Sequence, residues 1–133
     1  MQIAGVDIYV NHPVLHLGAT DWVPLSLALD AAPAASCDTH VAVRVRPQRG
    51  LIKVRLFTPS DDPQVQRPDP AFATVFDGTL LLSDGRIAVG DVEQQTRFVH
   101  RVGDRGQFNV RVAVNAPGLD TSAIDIVIAG LSK

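Results

Sequence analysis

The feature that most constrains this chain is strict two-residue alternation inside short segments. In GQFNVRVAVN, residues 106–115, Phe108, Val110, Val112 and Val114 alternate with Asn109, Arg111, Ala113 and Asn115. Side chains on a strand point to opposite faces in turn, so this pattern gives one greasy face and one face that meets water. Candidate strands recur at 3–10, 23–30, 39–46, 51–58, 71–76, 79–83, 86–92, 95–102, 107–115 and 122–129. Turn chemistry punctuates them: ProGlnArgGly at 47–50, AspGly at 77–78 and 84–85, GlyAspArgGly at 103–106 and AlaProGly at 116–118. AspGly at 84–85 is the strongest hairpin signal, because a tight primed turn needs positive φ.

Short strands at this spacing predict an all-β fold: a single-domain antiparallel β-sandwich of eight to ten short strands over residues 1–133. At 133 residues one core is the natural count. Aromatic residues are only 5% of the chain, so that core is expected to be aliphatic. Val43, Val45, Ile52, Val54, Val110, Val112, Ile124 and Ile126 are its predicted members, with Phe72, Phe76, Phe98 and Phe108 joining them.

Two stretches resist a simple reading. Residues 20–36 admit a helix capped by Asp21, with Pro24 in its first turn and Pro33 at its end. The alternation of Leu25, Leu27 and Leu29 with Ser26, Ala28 and Asp30 favours a strand instead. In 59–70, four prolines in twelve residues rule out a central strand and predict a long exposed loop. Trp22 is expected to plug one end of the sandwich.

The hairpin THVAVRVRPQRGLIKVRLFT, 39–58, supplies the candidate site. A four-residue loop at 47–50 would pair Val43 with Val54 and Val45 with Ile52 on one face. Arg44 and Lys53 would share the other, with Arg46 and Arg55 on the diagonals. Like charges opposed in a sheet repel by roughly 0.2–1 kcal/mol, so solvent, neighbouring carboxylates or an acidic partner must offset them. Arg111 widens this face if its strand lies nearby. Arg44, Arg46, Lys53, Arg55 and Arg111 are therefore the candidate partner-binding residues, and arginine suits protein interfaces.

Other chemistry is weakly represented. His12-x3-His16 and Cys37-x2-His40 contain zinc-ligand types, but an extended chain would hold the two histidines about 13 Å apart at roughly 3.3 Å per residue. No nucleophile elbow, phosphate-binding loop, dinucleotide fingerprint or zinc-protease motif occurs, and Asp61-Asp62 reads as a solvated turn. No cofactor and no enzymatic activity are expected. The formal net charge of −2, with no aromatic interleaved among the cations at 44, 46, 53 and 55, argues against nucleic acid as the partner.

The single cysteine, Cys37, excludes an intramolecular disulfide and predicts a reducing home. MQIAGVDIYV lacks a cationic leader and carries Asp7, so it reads as a strand rather than a secretory signal. No apolar run approaches the roughly 18–20 residues of a membrane span. The expected setting is the cytoplasm, and the expected partner is another protein. Self-assembly through exposed valine- and alanine-rich sheet, or a small ligand held between the sheets, are the alternatives.

Three stretches together resemble a known family. THVAVRVRPQRGLIKVRLFT has paired v-x-v strands about a glycine turn. RFVHRVGDRGQFNVRVAVN and then SAIDIVIAG read as a strand, a G-x-F-x-V-R strand and a closing I-x-I strand. This order resembles the competence protein J family, small bacterial β-sandwich proteins that inhibit a partner nuclease, and related immunity-like proteins. The resemblance implies a β-sandwich and a protein-binding inhibitor, and it assigns no individual residue a role.

Overall fold

In a computed structural model of the chain, the residues described are 2–10, 14–20, 32–45, 50–59, 68–91, 97–116 and 121–130. They form ten strands and no helix: β1 (Gln2–Val10), β2 (Val14–Gly18), β3 (Ala34–Ser36), β4 (His40–Arg44), β5 (Gly50–Phe57), β6 (Ala73–Leu82), β7 (Arg86–Asp91), β8 (Arg97–Arg101), β9 (Gly106–Val114) and β10 (Ala123–Gly130). Two five-stranded sheets result. The first runs β1-β5-β10-β9-β6 and the second β3-β4-β2-β7-β8.

Alternation sets the inner faces. Ile52, Val54 and Leu56 of β5 are buried, as are Val110, Val112 and Val114 of β9 and Ile124, Ile126 and Ile128 of β10. From the second sheet Leu15, Leu17, Val41, Val43, Ile87 and Val89 enter the same cluster. All eight aliphatic residues predicted for the core are buried. Phe108 joins them, and Phe76 and Phe98 pack against the cluster from its margin. Phe72 does not; it lines a surface cleft described below.

Pairing differs from expectation in several places. Strands β4 and β5 do not form a hairpin: β4 pairs with β2 and β3, while β5 pairs with β1 and β10. Both still deliver their valines to one core, from opposite sheets. Period-two spacing says which face is buried but not which strand lies alongside. The pair β5–β10 is parallel, an arrangement open to strands joined by a long connection rather than a tight turn.

AspGly at 77–78 is not a turn either. The predicted segments 71–76 and 79–83 merge into β6, with a register irregularity between Thr74 and Phe76. A methyl group at Gly78 would stand 3.0 Å from Phe76 Cζ, so the ring covers the bare glycine backbone. AspGly at 84–85 does turn, with Gly85 at φ 72° and its N–H donating to Leu82 O at 3.1 Å. It carries the chain from one sheet to the other instead of closing a hairpin. Gly85 O accepts from Val102 N (2.9 Å) and Gly103 N (3.3 Å), which ties this corner to the β8–β9 corner.

Strands β2 and β3 were not expected. Leu15 and Leu17 alternate with Val14 and His16, a signal shortened by His12-Pro13 and by Gly18. The expectations for 23–30, Trp22, Asp61-Asp62 and most of the 59–70 loop lie outside the described residues.

Candidate interaction surface

The outward positions of the first sheet hold most of the predicted cations, and the register puts a carboxylate opposite each one. Asp7 of β1 stands across from Lys53 of β5. Asp125 of β10 stands across from Arg55. Asp77 of β6 stands across from Arg111 of β9. Opposite charges facing each other across strands stabilise a sheet by roughly 0.2–1 kcal/mol per pair. Of the three remedies the sequence left open for crowded cations, a carboxylate on a neighbouring strand closes an ion pair with Arg55, while Lys53 and Arg111 are exposed to solvent.

The central pair is the tightest. Arg55 Nε donates to Asp125 Oδ1 and Nη2 donates to Oδ2, both at 2.8 Å, a two-pronged geometry that fits guanidinium to carboxylate. The Asp125 side chain is 1% exposed and that of Arg55 23%. The Arg55 guanidinium carbon lies 5.2 Å from the centre of the Phe57 ring. Phe57 sits on this outward side by alternation and is nonetheless fully buried.

Asp125 does a second job. Its Oδ2 also accepts from Asp69 N at 3.0 Å, which fastens the 68–72 segment to the sheet. The segment is itself turned by Asp69, whose Oδ1 accepts from Ala71 N (2.9 Å) and whose carbonyl accepts from Phe72 N (3.2 Å). Between segment and sheet lies a cleft of about 320 Å³, lined by Pro68, Phe72, Ala113, Val127, Asp125 and Arg111 among others. A second, more open cleft of about 410 Å³ lies on the other side of Arg55, where Gly5 leaves the β1 position bare beside Asp7 and Lys53.

Lys53, Arg55 and Arg111 therefore share one face. Arg44 does not: β4 belongs to the second sheet. There Arg44 is half-buried, with Nε donating to Ala32 O at 3.3 Å and its backbone N to Pro33 O at 2.9 Å. Arg46 lies outside the described residues. The basic face expected of the hairpin, Arg44, Arg46, Lys53 and Arg55 widened by Arg111, is thus corrected: Arg44 leaves it, and Lys53, Arg55 and Arg111 share a face with carboxylates across from them. Asp125 and Asp69 were missed. A lone aspartate inside AIDIVIAG was the available signal, since a carboxylate in an aliphatic strand calls for a partner.

The Cys37-x2-His40 pair is structural. His40 is buried, its Nε2 donates to Ala19 O at 3.0 Å, and its Nδ1 lies 2.7 Å from Thr39 Oγ1. Cys37 Sγ contacts that same hydroxyl at 3.6 Å. Both ring nitrogens are engaged within the protein. Among the described residues no group of three or more His, Cys, Asp or Glu is placed to hold a metal ion. His12 is outside them.

No family profile and no curated protein matches the sequence. Two solved structures share the fold over nearly its whole length. One is ComJ, inhibitor of the DNA degrading activity of NucA, from Bacillus subtilis, with a TM-score of 0.65, 10% identity and 98% of each chain covered. The other is the protein of crocagin biosynthetic gene J, with a TM-score of 0.57, 13% identity, and 98% of this chain and 100% of that chain covered. At these identities the likeness is one of fold, and the resemblance suggested by the strand order is present in three dimensions.

Proposed function

We propose that this chain is a non-enzymatic, cytoplasmic protein-binding module, an inhibitor or immunity-type partner of another protein such as a nuclease. The observation that carries this reading is the full-length likeness of fold to an inhibitor of a DNA-degrading protein. A charged, cleft-bearing sheet face supports it. The contact surface we propose comprises Lys53, Arg55 and Arg111 with the 68–72 segment; Arg44 stands on the other sheet, and Arg46 lies outside the described residues.

Among the cations of this face, Lys53 and Arg111 are the exposed members. Arg111 makes no ion pair or hydrogen bond among the described residues, and its five donors stand at the mouth of the 320 Å³ cleft. Arg55 is committed to Asp125 and contributes shape more than free charge. Such a surface, with both signs interleaved, suits a partner face of complementary pattern rather than a uniformly charged one.

The test is affinity capture from the native cell with tagged full-length chain, followed by titration of the purified partner. The reading expects a specific partner at micromolar affinity or better, and loss of the partner's activity on binding. A chain that captures nothing reproducibly, or that itself turns over a substrate, overturns it.

A further inference from the structure

Carboxylates stand opposite the cations of the first sheet's outer face, whereas β7 and β8 concentrate arginine with fewer carboxylates among the described residues. Strand β7 pairs with the edge strand β8 so that Gly90 faces Arg97, Ala88 faces Val99 and Arg86 faces Arg101. Ile87 and Val89 point into the core. Arg86, Arg97, Val99 and Arg101 therefore lie on the outward side, and all four are exposed. Arg105 is exposed in the turn that follows β8. Arg97 and Arg101 thus flank Val99, a large hydrophobic residue 38% open to solvent, with Arg86 across from Arg101.

Two carboxylates accompany them among the described residues. Asp84 belongs to Arg86, which donates to its Oδ2 from Nε (3.0 Å) and Nη2 (2.8 Å). Asp104 only grazes Arg101, at 3.9 Å between two strongly exposed side chains. Such a contact is worth little in water. Arg97, Arg101 and Arg105 keep most of their donors for a ligand.

The patch is also held in shape. Thr20 Oγ1 donates to Asp84 Oδ2 at 2.6 Å, and Thr20 O accepts from Arg97 Nη2 at 2.9 Å. One threonine thus anchors Arg97 directly and Arg86 through Asp84. Ordering of this kind lowers the entropy lost when long side chains bind. Arg86 and Arg101 stand directly opposed, an arrangement that is unfavourable for folding by itself. An anionic ligand would relieve it.

We propose that the outer face of the β7–β8 hairpin, centred on Arg97, Val99, Arg101 and Arg105, is a docking surface for a carboxylate-rich protein segment. Charge complementarity names the occupant. An exposed valine flanked by arginines matches the composition of protein interfaces, where arginine is enriched. Among the described residues no exposed aromatic stands beside these arginines to stack a base, which disfavours single-stranded nucleic acid. This inference rests on the protein-binding reading and adds a second contact, on the other sheet, for an acidic segment of the partner.

Full-length protein is titrated into fluorescent poly-L-glutamate, and separately into a single-stranded DNA oligonucleotide of equal charge, at low salt. Binding to polyglutamate is expected, tighter than to DNA. The variant R97S/R101S/R105S should weaken it at least about tenfold, and poly-L-lysine of equal length should not bind. R101S/R105S serves as the second variant, because neither residue contacts Thr20. Absence of polyglutamate binding, an affinity unchanged in both arginine variants, or DNA bound as tightly as polyglutamate would each overturn the proposal. If polyglutamate fails but a native partner is captured, this surface is wrong and the binding function stands. If no partner is captured, the function falls whatever polyglutamate does.

Discussion

Arg55 and Asp125 face each other across the parallel β5–β10 pair, joined by two bonds of 2.8 Å, seventy residues apart in sequence. Asp125 accepts a third bond from the backbone of Asp69. A single buried carboxylate therefore holds together two strands and the segment that covers Phe57's side of the sheet. The pair is a fastening before it is a binding site.

Arg55→Met should destabilise the protein by about 2–4 kcal/mol, because it leaves Asp125 buried without its counter-charge. The double variant R55M/D125L should recover a large part of that loss. Urea unfolding of the two singles and the double, read as a mutant cycle, checks it. Equal stability of wild type and Arg55→Met would show that Asp125 does not depend on this partner.

Gly85→Ala should be among the most damaging single-methyl changes available. The residue sits at φ 72°, and an added Cβ would stand 2.1 Å from Gly103 O, a backbone atom that cannot step aside. Gly106→Ala is the control: φ is 143°, yet nothing lies within 4 Å of the added carbon. Backbone strain alone costs on the order of 1–3 kcal/mol, so Gly85→Ala should lose more than Gly106→Ala. Thermal melts of the two variants give the order.

Asp84 governs part of the acid limb. The Thr20 hydroxyl bond and then Arg86 hold its carboxyl down to about 2 from 3.8. A depressed carboxylate contributes stability that is fully present above its unfolded pKa and is lost as pH falls through its folded one. That contribution should therefore hold above about pH 4 and fade toward pH 2. Thr20→Val should raise the Asp84 titration midpoint, measured by carboxyl NMR. An unchanged midpoint would remove the threonine from the explanation.

Lys53→Ser and Arg111→Ser should be nearly neutral for folding, within about 0.5 kcal/mol, since both side chains are exposed. Under the proposed function they should nevertheless weaken capture of the partner. Melting temperature and capture measured on the same samples separate the two effects. Capture unchanged in the double variant would take this face out of the contact surface.

Much of this molecule is legible in the alternation of its residues. The sandwich class, the aliphatic core from Val43 to Ile126, and the outward placing of Lys53 and Arg111 follow from side-chain parity on a pleated strand. Parity is a local property, so sequence determines it. Neighbourhood is not local. The same inward valines fit a β4–β5 hairpin or two facing sheets, and only global packing chose the second. That choice sent Arg44 to the other sheet, set Asp7, Asp125 and Asp77 opposite the remaining cations, and brought Arg86 against Arg101. Charges far apart along the chain meet only when a core large enough to exclude water has fixed which strands lie side by side.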